Sequence, residues 1–449
     1  MTRLALLMLA LVAHAQDTRN VAEPVIPPAC AALAANLTSA GGKTLAEADE
    51  TKPDTRRIQQ ALDSCGTGRA VVLKAGGARD AFLSGPLQLR EGVALVVDAG
   101  AILFGSRNPR DYDVRASSCG VVDQNGKGCR ALINGDRVAH AAVMGGGVID
   151  GRGWAALTGT KTTWWDLAEQ ARAGGKQNCP RLVVLSRCDD FTLYRITLKN
   201  PGNFHVYYDS GNGFTAWGVV IDTPARGARN TDGIDPSGAA NVTITHCFIH
   251  AGDDNVAIKA GAGRHSSHIT IAHNHFYAGH GMSIGSETEG GAEAIRVSDL
   301  SVDGADNAIR IKSNSSKGGL VRDVVYEDVC VRDTKNPILM DSDYEHFGKG
   351  GSKPPTFTDI ALRNVRVLSG GTITLQGFDE KRRLGMTLDR VYLDPPVKVL
   401  AEFADFTLGP GPVNFVPAGR DVRVNGKPGQ GTPNECKDKF APMPRTSAR

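Results

Sequence analysis

From Phe191 to Leu393 one pattern of apolar positions recurs: apolar, any, apolar, any two, apolar, any, apolar. It runs as Phe191, Leu193, Ile196, Leu198, then Phe214, Ala216, Val219, Ile221, then Val242, Ile244, Cys247, Ile249. It continues as Ile269, Ile271, Asn274, Phe276, then Ile295, Val297, Leu300, Val302, then Val324, Tyr326, Val329, Val331. Ile360, Leu362, Val365, Val367 and Met386, Leu388, Val391, Leu393 complete the series. Successive starts lie between 23 residues (Phe191 to Phe214) and 36 residues (Val324 to Ile360) apart. Period-two alternation marks a strand, and the two-residue break marks a corner after which alternation resumes. Imperfect repeats of this length stack on one another. The pattern predicts an all-β fold, a single-stranded right-handed parallel β-helix (a solenoid) with several short strands per coil. The one sustained helical period, Asp54–Cys65, puts Ile58, Ala61, Leu62 and Cys65 on one face. It predicts an N-terminal helix that caps the open strand edges of the stack. A β-sandwich would need tight hairpin turns, which are scarce here. A leucine-rich solenoid would need a fixed leucine and asparagine pattern, which is absent.

The segments that follow the repeats align as well. They read TDGID (231–235), DDNVAIK (253–259), HGMSIG (280–285), DNAIRIK (306–312) and NPILM (336–340). With Ile234, Val256, Met282, Ile309 and Ile338 in one column, Asp232, Asp254, His280, Asn307 and Asn336 share another, two residues earlier. Parallel strands lie about 4.8 Å apart, so Asp232, Asp254 and His280 should stand in consecutive coils, with Asp253 at the bend beside Asp254. Arg310 and Lys312 alternate with Ile309 and Ile311 and should point outward together, onto the same exposed face.

Three carboxylates in neighbouring coils repel, which should raise the pKa of at least one. A proton donor beside ionised carboxylates is what glycoside hydrolysis needs. Inverting enzymes hold the two carboxyls about 6.5–9.5 Å apart, a gap that side chains from adjacent coils would span. Arg grips a carboxylate through two bonds and Lys adds a point charge, so the pair points to a sugar that bears a carboxylate. Each feature alone has a plainer account: an acidic turn, a structural histidine, a wet strand face. Their convergence on one face argues for function. His268, His273 and His275 have no carboxylate spacing that would complete a metal site and read as structural.

Composition narrows the class. Among 449 residues glycine is frequent, at 53, and suits many tight turns. A net charge of +3 without any dense Lys/Arg run gives no nucleic-acid signal. Residues 1–15 (MTRLALLMLALVAHA) read as a secretory signal peptide, cleaved before Gln16 and too short to span a membrane. The expected product is a secreted, soluble monomer with no membrane segment. Export permits disulfides among the nine cysteines. The short loop between Cys119 and Cys129 suggests one pair, and Cys30 with Cys65 is the second. Cys247 falls in a core position and reads as a buried free thiol. The expected organisation is a signal peptide (1–15), an N-terminal extension (16–53), a β-helix catalytic domain (54–427) and a loose, Pro- and Gly-rich tail (428–449).

NTDGID (230–235), GDDNVAIK (252–259), GHGMSIGS (279–286) and RIK (310–312) together resemble the four signature blocks of polygalacturonases, glycoside hydrolase family 28, in its bacterial branch. ILMDSDY (338–344) resembles the block that carries the family's substrate-contacting tyrosine. The resemblance implies inverting, metal-independent hydrolysis of α-1,4-galacturonan, the polyanion of pectin, with no cofactor and with endo action expected. By motif, Asp253 would be the general acid, and Asp232 and Asp254 would hold and activate water. His280 would tune the acid. Asn230, Arg310, Lys312 and Tyr344 would bind galacturonate. Exo action, a rhamnogalacturonan hydrolase, a Ca²⁺-dependent pectate lyase and a non-catalytic pectin-binding β-helix are the competing readings. The RIK block argues against the rhamnogalacturonan enzyme. The intact set of carboxylates argues against the non-catalytic protein.

Overall fold

The structure, a computed structural model, describes residues 16–444. The expected signal peptide, 1–15, lies outside the described residues. The chain winds into a parallel β-helix: 32 strands join one continuous sheet, and all its strand-to-strand ladders are parallel. A separate two-stranded antiparallel piece joins Val122–Asp123 to Lys176–Gln177.

The recurring apolar pattern is the inner wall. Phe191, Phe214, Val242, Ile269, Ile295, Val324, Ile360 and Met386 pair in an unbroken register down the stack. The residues of the eight repeats are buried, most of them with no exposed surface at all. Each such aliphatic or aromatic side chain contributes about 1.5–3 kcal/mol by leaving water. The corner has a single cause. The second residue of every two-residue break takes a left-handed conformation: Arg195, Gly218, His246, His273, Asp299, Asp328, Asn364 and Arg390, with φ between +49° and +62°. One left-handed residue turns the strand without breaking its ladder. Asp, Asn, His and Gly, which tolerate that region best, hold most of these positions. Asn274, a polar residue in the apolar column, is satisfied inside: its Oδ1 accepts from Cys247 N at 2.9 Å and its Nδ2 donates to Ile244 O at 2.9 Å.

A helix, α1 (Thr55–Ser64), covers the N-terminal end and buries Ile58 and Leu62. A disulfide, Cys30–Cys65, ties it to the strand Ala29–Ala34, which forms the first rung with Arg69–Lys74. Cys119–Cys129 closes a loop on the flank, and Cys247 is a buried free thiol. A second helix, α2 (Trp164–Gln170), has no counterpart in the apolar periodicity. It begins with a capping box in which Thr163 and Asp166 bond each other's backbone N–H.

The C-terminal segment corrects the expectation of a loose tail. A third disulfide, Cys330–Cys436, fastens it to the stack, and Tyr277 Oη donates to Ala441 O at 2.7 Å. Spacing along the chain offered no hint of a bridge across 106 residues. Only the coiling brings the tail back over an earlier strand.

Candidate active site

One sheet of the helix carries the alignment of acids. Its strands are numbered here β1 (Ile133–Asp136), β2 (Val183–Ser186), β3 (Val206–Asp209), β4 (Ile234–Ser237), β5 (Val256–Ile258), β6 (Met282–Ile284), β7 (Asn307–Lys312) and β8 (Asn336–Asp341). Ile234, Val256, Met282, Ile309 and Ile338 pair rung to rung. Asp232, Asp254 and His280 therefore occupy the same position before three successive strands. Asp253 sits in the bend before β5. One carboxylate oxygen from each of Asp232, Asp253 and Asp254 lies within 4.8 Å of the other two.

Close rung packing explains the glycines around them. A Cβ on Gly233 would lie 2.3 Å from Asn255 O, and one on Gly279, whose φ is +67°, would lie 2.4 Å from Asp253 O. Asn255 locks the bend. Its Nδ2 donates to Ile249 O (2.9 Å) and Tyr277 O (3.3 Å), and its Oδ1 accepts from Gly281 N (2.8 Å). His205, fully buried, bonds Asp232 O (2.9 Å) and Thr223 Oγ1 (2.8 Å) through its two ring nitrogens. Burial pushes its pKa down to about 4, so it serves as a neutral brace.

The three acids differ in surroundings. Asp254 is buried, and its Oδ1 accepts from Ser283 Oγ (2.7 Å) and Arg310 Nη1 (3.0 Å) while Oδ2 accepts from Lys312 Nζ (2.8 Å). Burial works to raise its pKa, but Lys312 and Arg310 hold it well below the usual carboxylate range. Asp232 is also buried, yet its Oδ1 has no hydrogen-bond partner among the described residues and its Oδ2 has only Lys259 Nζ, at 3.4 Å. Burial first, then the charge of Asp235, raise its pKa well above the usual value, and Lys259 offsets only part of this. Lys259 stands closer to Asp235, at 2.7 Å. Asp235 is itself pushed up to about 6, by burial. Asp253 is half-buried, and its Oδ1 accepts from Asp254 N at 2.9 Å.

His280 donates its backbone N–H to Asp253 O (3.0 Å), and its Nδ1 lies 4.0 Å from Asp306 Oδ2. The Tyr344 ring lies 5.3 Å from both Arg310 Cζ and Lys312 Nζ. Asn230, left-handed at φ +55°, sits in the turn leading to Asp232. His273 pairs with Asp299 and His275 bonds Ser301, outside this cluster.

Two expectations need correction and a third is refined. Arg310 and Lys312 do turn away from the coil interior, but not onto an exposed face: they are 6% and 5% exposed and are ion-paired with Asp254. Asp254 is the counter-charge that makes burial of two cations tolerable. Secondly, one oxygen of each carboxyl comes within 4.8 Å of the others, a closer approach than the roughly 6.5–9.5 Å expected of the pair. Neighbouring rungs are only about 4.8 Å apart, and side chains from equivalent positions run alongside one another. Thirdly, the raised acid is Asp232. Its largest causes are burial and Asp235, a residue outside the aligned column, and the expected repulsion from Asp253 and Asp254 adds to them. Asp235 had a signal: it follows an inward Ile234 as Arg310 follows an inward Ile309.

The triad's spacing is one that a divalent cation would accept. Its positive charge is already supplied, however, by Arg310 and Lys312 on Asp254 and by Lys259 beside Asp232.

Residues 85–401, well over half of the chain, match the family model described as Glycosyl hydrolases family 28. The chain is 43% identical over 383 residues to an endo-polygalacturonase of Pectobacterium carotovorum subsp. carotovorum, a match covering 85% of this chain and 90% of that one. It is 38% identical to a polygalacturonase of Ralstonia nicotianae, covering 94% of this chain and 92% of the relative. Among solved structures, the polygalacturonase from Erwinia carotovora ssp. carotovora superposes with a TM-score of 0.81 at 41% identity, covering 87% of this chain and all of that one.

Proposed function

We infer that this chain, which belongs to glycosyl hydrolases family 28, is a polygalacturonase that hydrolyses the α-1,4-galacturonosyl linkages of polygalacturonan and pectin. The observation that carries the reading is the meeting of Asp232, Asp253 and Asp254 on one face, with Arg310 and Lys312 one side chain away. Endo action is supported by the name of the 43%-identical Pectobacterium relative. In this reading Asp253, the one member of the triad open to the groove, protonates the glycosidic oxygen. Water is held between Asp232 and Asp254 and attacks the anomeric carbon. Asp232 takes the water's proton when it is in its ionised form: its Oδ1 is free of protein partners, and a raised pKa makes that carboxylate the stronger base. Asp254, with both oxygens occupied by cations, orients the water and stays ionised. His280 steadies the Asp253 bend. Arg310, Lys312, Tyr344 and Asn230 face the uronate next to the scissile bond. No metal or cofactor enters.

Inversion is part of the proposal. A retaining course has one observation in its favour: the spacing within 4.8 Å is nearer the roughly 5–5.5 Å usual for retaining enzymes. Against it, the ionised Asp254 has its oxygens committed to Arg310, Lys312 and Ser283, which blunts it as a nucleophile. We further propose a secreted monomer, supported by the signal-like N-terminus and three disulfides. Among the described residues no helix is long and apolar enough to cross a membrane.

The test is hydrolysis of demethylated polygalacturonate in parallel with EDTA and with Ca²⁺, following reducing ends, viscosity and ultraviolet absorbance, with NMR of the first-formed anomer. A fast viscosity drop with few reducing ends and a β-anomeric product is expected. Slow thinning would mean exo action, an α product retention, and absorbing products a lyase.

A further inference from the structure

The position occupied by the acids continues N-terminally along the groove. Val183, Val206, Ile234 and Val256 pair rung to rung. Two residues before each stand Arg181, Phe204, Asp232 and Asp254. Arg181 is thus on the line of the acids, two rungs from Asp232, or about 10 Å at the usual strand spacing.

Its surroundings differ from those of other arginines near these strands. Arg310, Arg264 and Arg187 are ion-paired, with Asp254, Asp209 and Asp136. Among the described residues no carboxylate forms an ion pair with Arg181. Its one hydrogen bond is weak, Nε to Asn203 Oδ1 at 3.4 Å. Aromatic rings hold it instead: Cζ lies 4.8 Å from the centre of Phe204 and 4.7 Å from that of Tyr207. Rings against the face of a guanidinium leave its edge, with paired N–H groups, to a planar anion. Burial also works against the charge of Arg181, and Tyr207, Asp235, Asp232 and Asp209 offset only part of this, so an anion brought to it gains more than it would from a hydrated arginine.

Arg181 lines a cavity of about 260 Å³, together with Asn203, Asn134, Val184 and a second arginine, Arg130. No acidic residue lines it. Arg130 is exposed and has no ion pair among the described residues. Its backbone is fixed by Cys129 of the Cys119–Cys129 disulfide and by its N–H to Tyr112 O at 2.8 Å. The cavity falls below the roughly 300 Å³ at which small-molecule sites begin, which suits one unit of a longer chain better than a separate ligand.

We propose that Arg181, assisted by Arg130, forms a distal subsite that grips the carboxylate of an unesterified galacturonate unit in the same polymer chain that is cut at the triad. The proposal rests on the polygalacturonase reading. The arginines are specificity residues: they reward long, unesterified stretches of substrate and do not touch the reacting bond.

The experiment compares the full-length protein with Arg181→Gln, Arg181→Lys and Arg130→Gln, on oligogalacturonates of increasing length and on methyl-esterified polymer. Thermal melts verify that the variants fold. Losing a desolvated charge-assisted contact should lower kcat/KM of Arg181→Gln about tenfold on the longest oligomers. The loss should shrink as the oligomer shortens and on esterified polymer, which lacks the anion. Arg130→Gln, at an exposed position, should show the same trend at about threefold. Arg181→Lys should recover only part of the loss. A loss equal at all lengths, or persisting on the ester, would make Arg181 a structural counter-charge and overturn the subsite, as would no loss at all. Failure of the unmodified protein to cleave any galacturonan would instead overturn the function itself.

Discussion

Asp254 and Asp232 stand on neighbouring rungs, before equivalent strands, both buried, yet the protein drives them in opposite directions. Asp254 receives two cations and a hydroxyl from the next rungs and is held ionised. Asp232 is bonded to one cation, Lys259, which stands closer to Asp235, and is pushed towards the neutral form. A solenoid places equivalent positions at a fixed spacing. What each position does is then set by the side chains its neighbouring rungs present. In this site the repeat supplies geometry, and the departures from the repeat supply chemistry.

Asp253 lies between these two regimes and gives the largest expected effect. If it is the proton donor, Asp253→Asn lowers kcat about 10²–10⁴-fold while circular dichroism and melting stay close to those of the unmodified protein. A variant that kept most of its turnover would pass the donor's role to Asp232. The contrast can next be sharpened through stability. Asp235 has a folded pKa of about 6, against about 3.9 when unfolded. Between those values the folded state binds more protons, so stability falls as pH rises from about 4 to about 6, and the full cost remains above that. The size is about 3 kcal/mol, at 1.36 kcal/mol per unit. Asp254 has the opposite sign: its contribution is complete above about pH 4 and is lost as pH falls further. Asp235→Asn should therefore flatten the decline above about pH 4 and leave the acid-side loss in place. Denaturant titrations across about pH 4 to 7 check this, and parallel curves for the two proteins would remove Asp235 from the account.

The inner wall was fully legible in the sequence because burial and strand period act on the same residues. Phe191 to Leu393 needed only alternation and a two-residue break, and the rung register of Asp232, Asp254 and His280 followed from the neighbouring Ile234, Val256 and Met282. Alternation also told that Arg310 and Lys312 leave the coil interior. It could not tell that Tyr344 and the acids cover them, because exposure outside the coil depends on loops that no period governs. The carboxyl with the raised pKa was hidden for the same reason: it depends on Asp235 and Lys259, whose charges balance only once β4 and β5 are side by side. Cys330 and Cys436, and the short helix α2, belong to the same class of features, fixed by the returning chain or by a local cap rather than by the repeat.

The smallest effect tests the ionised half of the contrast. Lys312→Ala removes one of the two cations on Asp254 and leaves Arg310 Nη1 and Ser283 Oγ in place. Asp254 should stay largely ionised, and the uronate beside it should lose one point charge, raising KM about tenfold. Its response to salt is diagnostic. A lysine steering the polymer from an exposed face would be screened, and the difference between variant and parent would vanish at high ionic strength. Lys312 is buried against Asp254, where screening is weak, so the tenfold gap should persist from low to high salt. A gap that closed with salt would place Lys312 in solvent. It would also undo the pairing that keeps Asp254 so different from Asp232.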